Sequence, residues 1–414
     1  MKRNIAWAAL AAAMLGAPSA SEAQTYDIDF SKVQPTFDGT QGYDFGTTAL
    51  SKKDLHLMSY SVAVPDGNYK VTVTVGSKSY AGETTIYAES RRLLKENIVT
   101  RKGETQTYTW TLHKRSPRID DQNVVKIKER EKNYMNWDGK LTLTFCGTAP
   151  AVTSIHIEPD SAATTLFLCG NSTVVDQEFD PWASWGQMIT RWFDESVCIA
   201  NYAESGERTT SFMASKRLDK ALSMAKAGDI FIVEFGHNDE KDKGAGSGAW
   251  YNFSHNLKTF IDRVHEKKCE IVLVTPTARR AYAEGKLRDT HGEYDDATRA
   301  VASREKVPLI DLTEMSTRLY EAYGEEGSKH FLVHYAAGTW PDQDKELADN
   351  THFNSFGAYE ISKCIVMGLK KADVSVVSRL CGDWADFDPS HPDDWTAFKV
   401  PAVLKTEIKK PDGN

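Results

Sequence analysis

Hydrophobic and polar positions follow two different rhythms along this chain. Up to about residue 160 they alternate. After the turn cluster Asp66-Gly67-Asn68, the stretch Tyr69-Lys-Val-Thr-Val-Thr-Val75 places apolar residues at every second position. Runs at 104–113, 124–128, 140–145 and 152–157 repeat the pattern. Period-two alternation marks a half-buried strand, and many short strands divided by turns predict an all-β sandwich. From Thr164 the rhythm changes. Short, nearly unbroken apolar runs at 165–169, 197–200, 229–235, 270–275 and 307–312 alternate with helix-period patterns at 185–193, 213–227, 251–267 and 294–306. Strands apolar on both faces, separated by helices, predict an α/β domain with a parallel sheet covered on both sides. The expected organisation is a β-sandwich over 24–160, an α/β domain over 161–380 and a C-terminal tail over 381–414. Glu158-Pro-Asp-Ser-Ala-Ala is the boundary, and the last residues from Lys405 are expected to fray.

The first 23 residues stand outside this scheme. Lys2 and Arg3 precede a short apolar run from Ile5 to Leu15, and small residues lead to Ser21-Glu22-Ala23. That run is too short to span a bilayer, which needs about 20 apolar residues, and it reads as a signal peptide. A secreted or periplasmic protein without a membrane span is the expectation. Losing Lys2, Arg3 and Glu22 takes the formal charge from −8 to −9, which argues against nonspecific nucleic-acid binding through a broad basic face. Six scattered cysteines without a Cys-x-x-Cys pair fit neither a disulfide scaffold nor a structural zinc site. Cys169, Cys198 and Cys269 are expected as buried thiols; if one bridge exists, it joins Cys364 to Cys381. A monomer is expected.

Polar residues gather where the apolar runs end: Gly170-Asn171-Ser172-Thr173, Asn201 to Gly206, Gly236-His237-Asn238-Asp239, and later Asp349-Asn-Thr-His352-Phe-Asn354. Sites of open parallel sheets lie at the carboxyl ends of the strands. A serine hydroxyl is a poor nucleophile without an adjacent base. Asp349 and His352, three apart, would share a face on a helical turn. The carboxylate could then hold one imidazole nitrogen while the other takes the Ser172 proton. The ordered blocks resemble those of the SGNH/GDSL hydrolases. Ser184-Trp-Gly-Gln187, Val274 to Arg280 and Asp349 to Phe353 resemble the rhamnogalacturonan acetylesterase branch, and the resemblance covers about 164–371. It implies a three-layer α/β/α, flavodoxin-like domain with Ser172 as nucleophile, His352 as base and Asp349 as its partner. It also implies an oxyanion hole from the Ser172 and Gly206 backbone N–H groups and the Asn238 amide. Gly206 suits close backbone approach and Asn238 carries two N–H donors. Asn171 departs from the pattern, which usually has Asp there.

The function implied is removal of O-acetyl groups from pectin, notably rhamnogalacturonan, through an acetyl-enzyme and without a cofactor. Acetylated xylan or another ester is the alternative, as is an inactive glycan-binding protein. Arg279 and Arg280 could clamp a uronic-acid carboxylate or simply be solvated. Trp182, Trp185 and Trp250 could stack on sugars or pack in the core, and His334 could line the cleft. Gly236-His237-Asn238-Asp239 inverts the Gly-Asn-His-Asp order of dinuclear phosphoesterases, so no metal site is expected and His237 is read as packing near the pocket. The β-rich half resembles a galactose-binding-like sandwich. It could bind glycan or brace the catalytic half, and without an aromatic ladder bracing is favoured.

Overall fold

The computed structural model describes residues 24–33, 36–44, 57–403 and 407–412; the predicted signal peptide lies outside them. The β-rich half contributes β1 (Tyr26–Asp29), β2 (Gln41–Tyr43), β3 (Leu57–Ala63), β4 (Gly67–Gly76), β5 (Gly82–Ala88), β6 (Arg92–Thr100), β7 (Thr105–Lys114), β8 (Lys140–Ala149) and β9 (Val152–Pro159). One antiparallel sheet runs β2-β3-β8-β5-β6, and a second antiparallel set runs β1-β9-β4-β7. Tyr69, Val71, Val73 and Val75 point from β4 into a core shared with Ile86, Leu143 and Phe145 of the other sheet. Lys70, Thr72 and Thr74 take the opposite face and are only half-buried. The run 124–128 forms no strand: Val124 makes a single bridge to Arg118, the Val125 N–H donates to Pro117 O, and that of Lys126 turns away to Ser215 O.

The second half begins with β10 (Thr164–Gly170), followed by α1 (Trp185–Met188), β11 (Val197–Asn201), α2 (Thr209–Ala214), α3 (Arg217–Met224), β12 (Ile230–Glu234), α4 (Ser254–Glu266) and β13 (Glu270–Val274). A small hairpin of β14 (Tyr282–Ala283) and β15 (Lys286–Leu287) precedes α5 (Glu293–Glu305), β16 (Leu309–Ile310) and α6 (Leu312–Gly327). The hairpin of β17 (Leu332–Tyr335) and β18 (Leu347–Phe353) leads into α7 (Ser355–Lys371). The parallel strands stand in the order β11-β10-β12-β13-β16, the 2-1-3-4-5 order of flavodoxin-like sheets. Successive strand residues serve opposite layers. Leu166, Leu168, Ile230 and Ile232 pack with α1, α6 and α7, whereas Phe167, Phe231 and Val233 pack with α2 to α5.

The two halves share one sheet. β7 pairs in parallel with β11 through Thr111 and Leu112, so nine strands run from β1 to β16 without a break. Among the described residues no helix is long and apolar enough to cross a membrane. All six thiols are free. The bridge considered between Cys364 and Cys381 is absent, because Cys364 lies in the α7 core while Cys381 Sγ contacts the Asp383 carboxylate at 3.0 Å.

Candidate active site

Ser172 stands just past β10, on a turn that its neighbours shape. The Asn171 side-chain oxygen accepts the Thr173 N–H (3.1 Å) and hydroxyl (3.0 Å), while the Asn171 carbonyl accepts the N–H of Val174 and Val175. These are turn bonds that a short polar side chain supplies, and only the oxygen of the amide is used. Its nitrogen is buried without a partner among the described residues. Gly170 is required by space, since a Cβ there would come within 2.5 Å of Val174 and 2.9 Å of the Glu234 carbonyl.

His352 Nε2 lies 2.9 Å from Ser172 Oγ, and His352 Nδ1 lies 2.8 Å from Asp349 Oδ2. All three residues are at least 96% buried. Asp349 and His352 meet differently from the helical turn expected. They lie in β18, where the register against β17 shifts between Leu332↔Phe353 and His334↔Ala348. This bulge sets residues 349–352 opposite Val333 alone, and bulges re-aim side chains. Asp349 Oδ1 secures the shape by accepting the N–H of Thr351 (2.8 Å) and His352 (3.0 Å). Burial pushes the Asp349 carboxyl upward, but the hydrogen bond and charge of His352 and these two N–H groups outweigh it, giving about 2. Trp182 packs edge-on against the His352 ring at 5.9 Å.

Gly206 adopts φ +80° in the loop after β11, a conformation open to glycine. Among the described residues, neither its N–H nor that of Ser172 is taken up by a hydrogen bond. Asn238 Nδ2 donates to Glu207 O at 3.0 Å, which leaves its second amide hydrogen. Beneath the Ser172 turn, Glu234 is fully buried at the end of β12. It accepts the Trp185 indole N–H (2.5 Å), and its other oxygen is 2.8 Å from Thr173 Oγ1. Burial pushes its carboxyl up to about 7.

Four residues assigned to substrate are otherwise engaged. Trp185 is completely buried at the start of α1 with its N–H spent on Glu234, so it is a core residue and not a sugar platform. Arg279 is paired with Glu240 at 2.5 Å and donates to His237 O. Arg280 braces the catalytic loop, donating to Asn350 Oδ1 (3.2 Å), to Ser328 Oγ and to the Glu325 carbonyl. His334 contacts Asn350 Oδ1 at 3.0 Å and lines a separate groove with Trp340, Phe356 and Trp395. Of the other candidates, Trp250 is half-exposed. His237 is buried against the His291 ring at 4.6 Å, and burial holds its imidazole well below the ordinary range.

The cleft beside Ser172 has a wall that the sequence did not announce. Arg130 and Tyr134 from the β-rich half, Gln177 and Trp182 from the nucleophile loop, and Glu204 from the loop after β11 line it. Gln177 Nε2 donates to the Ser172 carbonyl at 3.0 Å. Residues 407–412, expected to fray, lie across the same cleft. The Trp182 indole N–H donates to Glu407 O, Lys410 Nζ is 3.4 Å from Asp349, and Arg130 reaches Asp412 at 2.9 Å. Lys128-Glu-Arg130-Glu-Lys132 reads in sequence as a solvated charge run, and no local signal shows that another half of the chain folds against it.

Residues 168–358 match the GDSL-like Lipase/Acylhydrolase family, a span that contains Ser172, Gly206, Asn238, Asp349 and His352. Over 218 residues the chain is 37% identical to rhamnogalacturonan acetylesterase RhgT of Bacillus subtilis, covering 52% of this chain and 93% of that one. Identity to a rhamnogalacturonan acetylesterase of Emericella nidulans is 23%, over 58% of this chain and 97% of the other. The crystal structure of Bacillus subtilis protein YxiM aligns with a TM-score of 0.48 at 21% identity, covering 85% of this chain and all of that one.

Proposed function

Since the chain belongs to the GDSL-like lipase/acylhydrolase family and is a carboxylic ester hydrolase acting as a carbohydrate acetylesterase, we propose that it removes O-acetyl groups from rhamnogalacturonan through an acetyl-enzyme. The hydrogen-bonded relay from Ser172 Oγ through His352 to Asp349, 2.9 and 2.8 Å long, carries this reading. Ser172 Oγ attacks the acetyl carbonyl carbon while His352 Nε2 takes its proton, and Asp349 holds the Nδ1–H tautomer and stabilises the imidazolium. The tetrahedral oxyanion is received by the N–H groups of Ser172 and Gly206 and the free amide hydrogen of Asn238. Each such donor is worth about 10²–10³ in rate. Collapse expels the sugar alkoxide, which His352 protonates. Water, deprotonated by the same nitrogen, then releases acetate. The choice of polymer rests on what the Bacillus and Emericella relatives are named for. Export by the leader read at residues 1–23 would deliver the enzyme to such a polymer.

Labelling of the folded protein with a fluorophosphonate, followed by peptide mapping, is expected to place one adduct on Ser172; an unmodified serine would overturn the mechanism. Acetate release measured in parallel from acetylated rhamnogalacturonan and acetylated xylan tests the polymer. Faster release from xylan would remove the pectic assignment and leave the chemistry intact.

A further inference from the structure

We propose that Lys128 and Arg130 form a subsite for the carboxylate of a uronic-acid unit of the substrate, and that Asp412 of the chain's own tail fills this subsite here. The inference rests on the polymer reading above. Both cations come from the β-rich half, outside the matched family region, and reach over the loop after β11. Lys128 Nζ donates to the Ser205 carbonyl and lies 3.5 Å from Glu207; Arg130 donates to the same carbonyl at 3.2 Å and pairs with Glu204. Those anchors fix the two groups beside Gly206, one of the proposed oxyanion donors.

A carboxylate is already bound there. Asp412 Oδ2 is 2.9 Å from Arg130 Nη1 and 4.0 Å from Lys128 Nζ. Its Cβ lies close enough to Gly206 that a side chain on the glycine would meet it at 3.0 Å. The occupant is exchangeable, because the Asp412 side chain is 50% exposed, whereas the Arg130 and Lys128 side chains are 22% and 30% exposed and are anchored independently. The local charge balance suits an anion. Arg217 pairs with Glu131 at 2.5 Å in full burial and also lies 3.8 Å from Glu207, so that with Lys128 and Arg130 three cations face Glu131, Glu204 and Glu207. Burial, and then the Glu131 charge, push the Glu204 carboxyl up to about 7, so it is partly neutral when the cations are not. The guanidinium gives the carboxylate a charge-assisted bond, and the ammonium 4.0 Å away adds a second positive charge, neither of which a neutral sugar can use in the same way. Arg279 and Arg280 have no comparable vacancy, being held by Glu240 and by Asn350 with Glu325.

Calorimetric titration of the full-length Ser172→Ala protein with a rhamnose–galacturonate disaccharide and with its methyl ester tests this. The acid is expected to bind about tenfold more tightly than the ester. Asp412→Asn, which frees the cations, should tighten the acid by about threefold or more and leave the ester unchanged. Combining Lys128→Gln with Arg130→Gln should abolish the preference for the acid. Equal binding of acid and ester, or an Asp412→Asn protein that binds as its parent does, would overturn the subsite. Binding is read without turnover, so a protein that prefers the acid but releases no acetate with Ser172 restored would sink the esterase reading alone.

Discussion

Asp349 serves two masters, and its two oxygens separate them. Oδ1 accepts the Thr351 and His352 N–H groups that shape the bulge, while Oδ2 faces His352 Nδ1. Asn at 349 can keep the first set through its carbonyl oxygen. Its amide nitrogen would then meet Nδ1 as a donor and favour the tautomer with the proton on Nε2, which cannot accept from Ser172. Asp349→Asn is therefore expected to lower kcat on 4-nitrophenyl acetate at neutral pH on the order of 10⁴-fold, with KM nearly unchanged. A loss below tenfold would remove Asp349 from the relay. Ser172, Gly206 and Asn238 are legible as candidates because each follows the carboxyl end of a parallel strand, where topology gathers polar groups at one edge; Asp349 and His352 are legible only through their own spacing, and the bulge in β18 that joins them is not. Trp185 is not, because position near a strand end does not tell which face of a four-residue helix turns inward. Lys128 and Arg130 are invisible for another reason: the wall they form exists only when the two halves of the chain fold together.

At the scale of elements, the hydroxyl of Thr173 ties the turn that carries Ser172 to the Glu234 side chain at the end of β12. Thr173 Oγ1 lies within hydrogen-bond distance of Asn171 Oδ1 and of Glu234 Oε1, yet it has one proton to give. Both contacts are satisfied when Glu234 is protonated: its O–H donates to Thr173, and Thr173 donates to Asn171. The upward push of the Glu234 carboxyl by burial, from 4.5 to about 7, agrees with this chain. The folded-state value is raised, so this carboxyl stabilises the fold fully below pH 4.5 and loses that contribution as the pH climbs through 7. Gln at 234 imitates the protonated form, with its amide donating to Thr173 and its oxygen accepting from Trp185. Melting temperatures of Glu234→Gln and the parent should coincide near pH 5. Towards pH 8 they should diverge in favour of the variant, corresponding to a stability difference of up to about 3 kcal/mol at full ionisation. Parallel curves across that range would mean that Glu234 is an anion throughout.

For the whole molecule, the alternation of residues predicts both kinds of sheet but not that they are one sheet. Period-two and unbroken apolar runs describe the faces of a strand, whereas the β7–β11 pairing is an edge contact made by backbone groups that every residue carries. Buried charge reinforces the junction. Arg92, at the start of β6, donates to Asp176 in the nucleophile loop at 2.7 Å with both side chains fully buried, and Arg91 donates to the Trp182 carbonyl at 2.7 Å. The β-rich half thus supports the loop that follows Ser172 from below, whatever its own affinity for glycan. Such a junction should make the halves unfold together, because separating them exposes two strand edges and strands a buried carboxylate. Calorimetric melting of the intact protein is expected to give one transition with equal calorimetric and van't Hoff enthalpies. Arg92→Met leaves Asp176 buried with, among the described residues, only the Asn201 amide as a side-chain partner. It should destabilise that single transition by about 3–5 kcal/mol, the cost of breaking one side of a buried pair. Two resolved transitions in the parent, or a variant that shifts only one of them, would show that the nine-stranded sheet does not couple the halves.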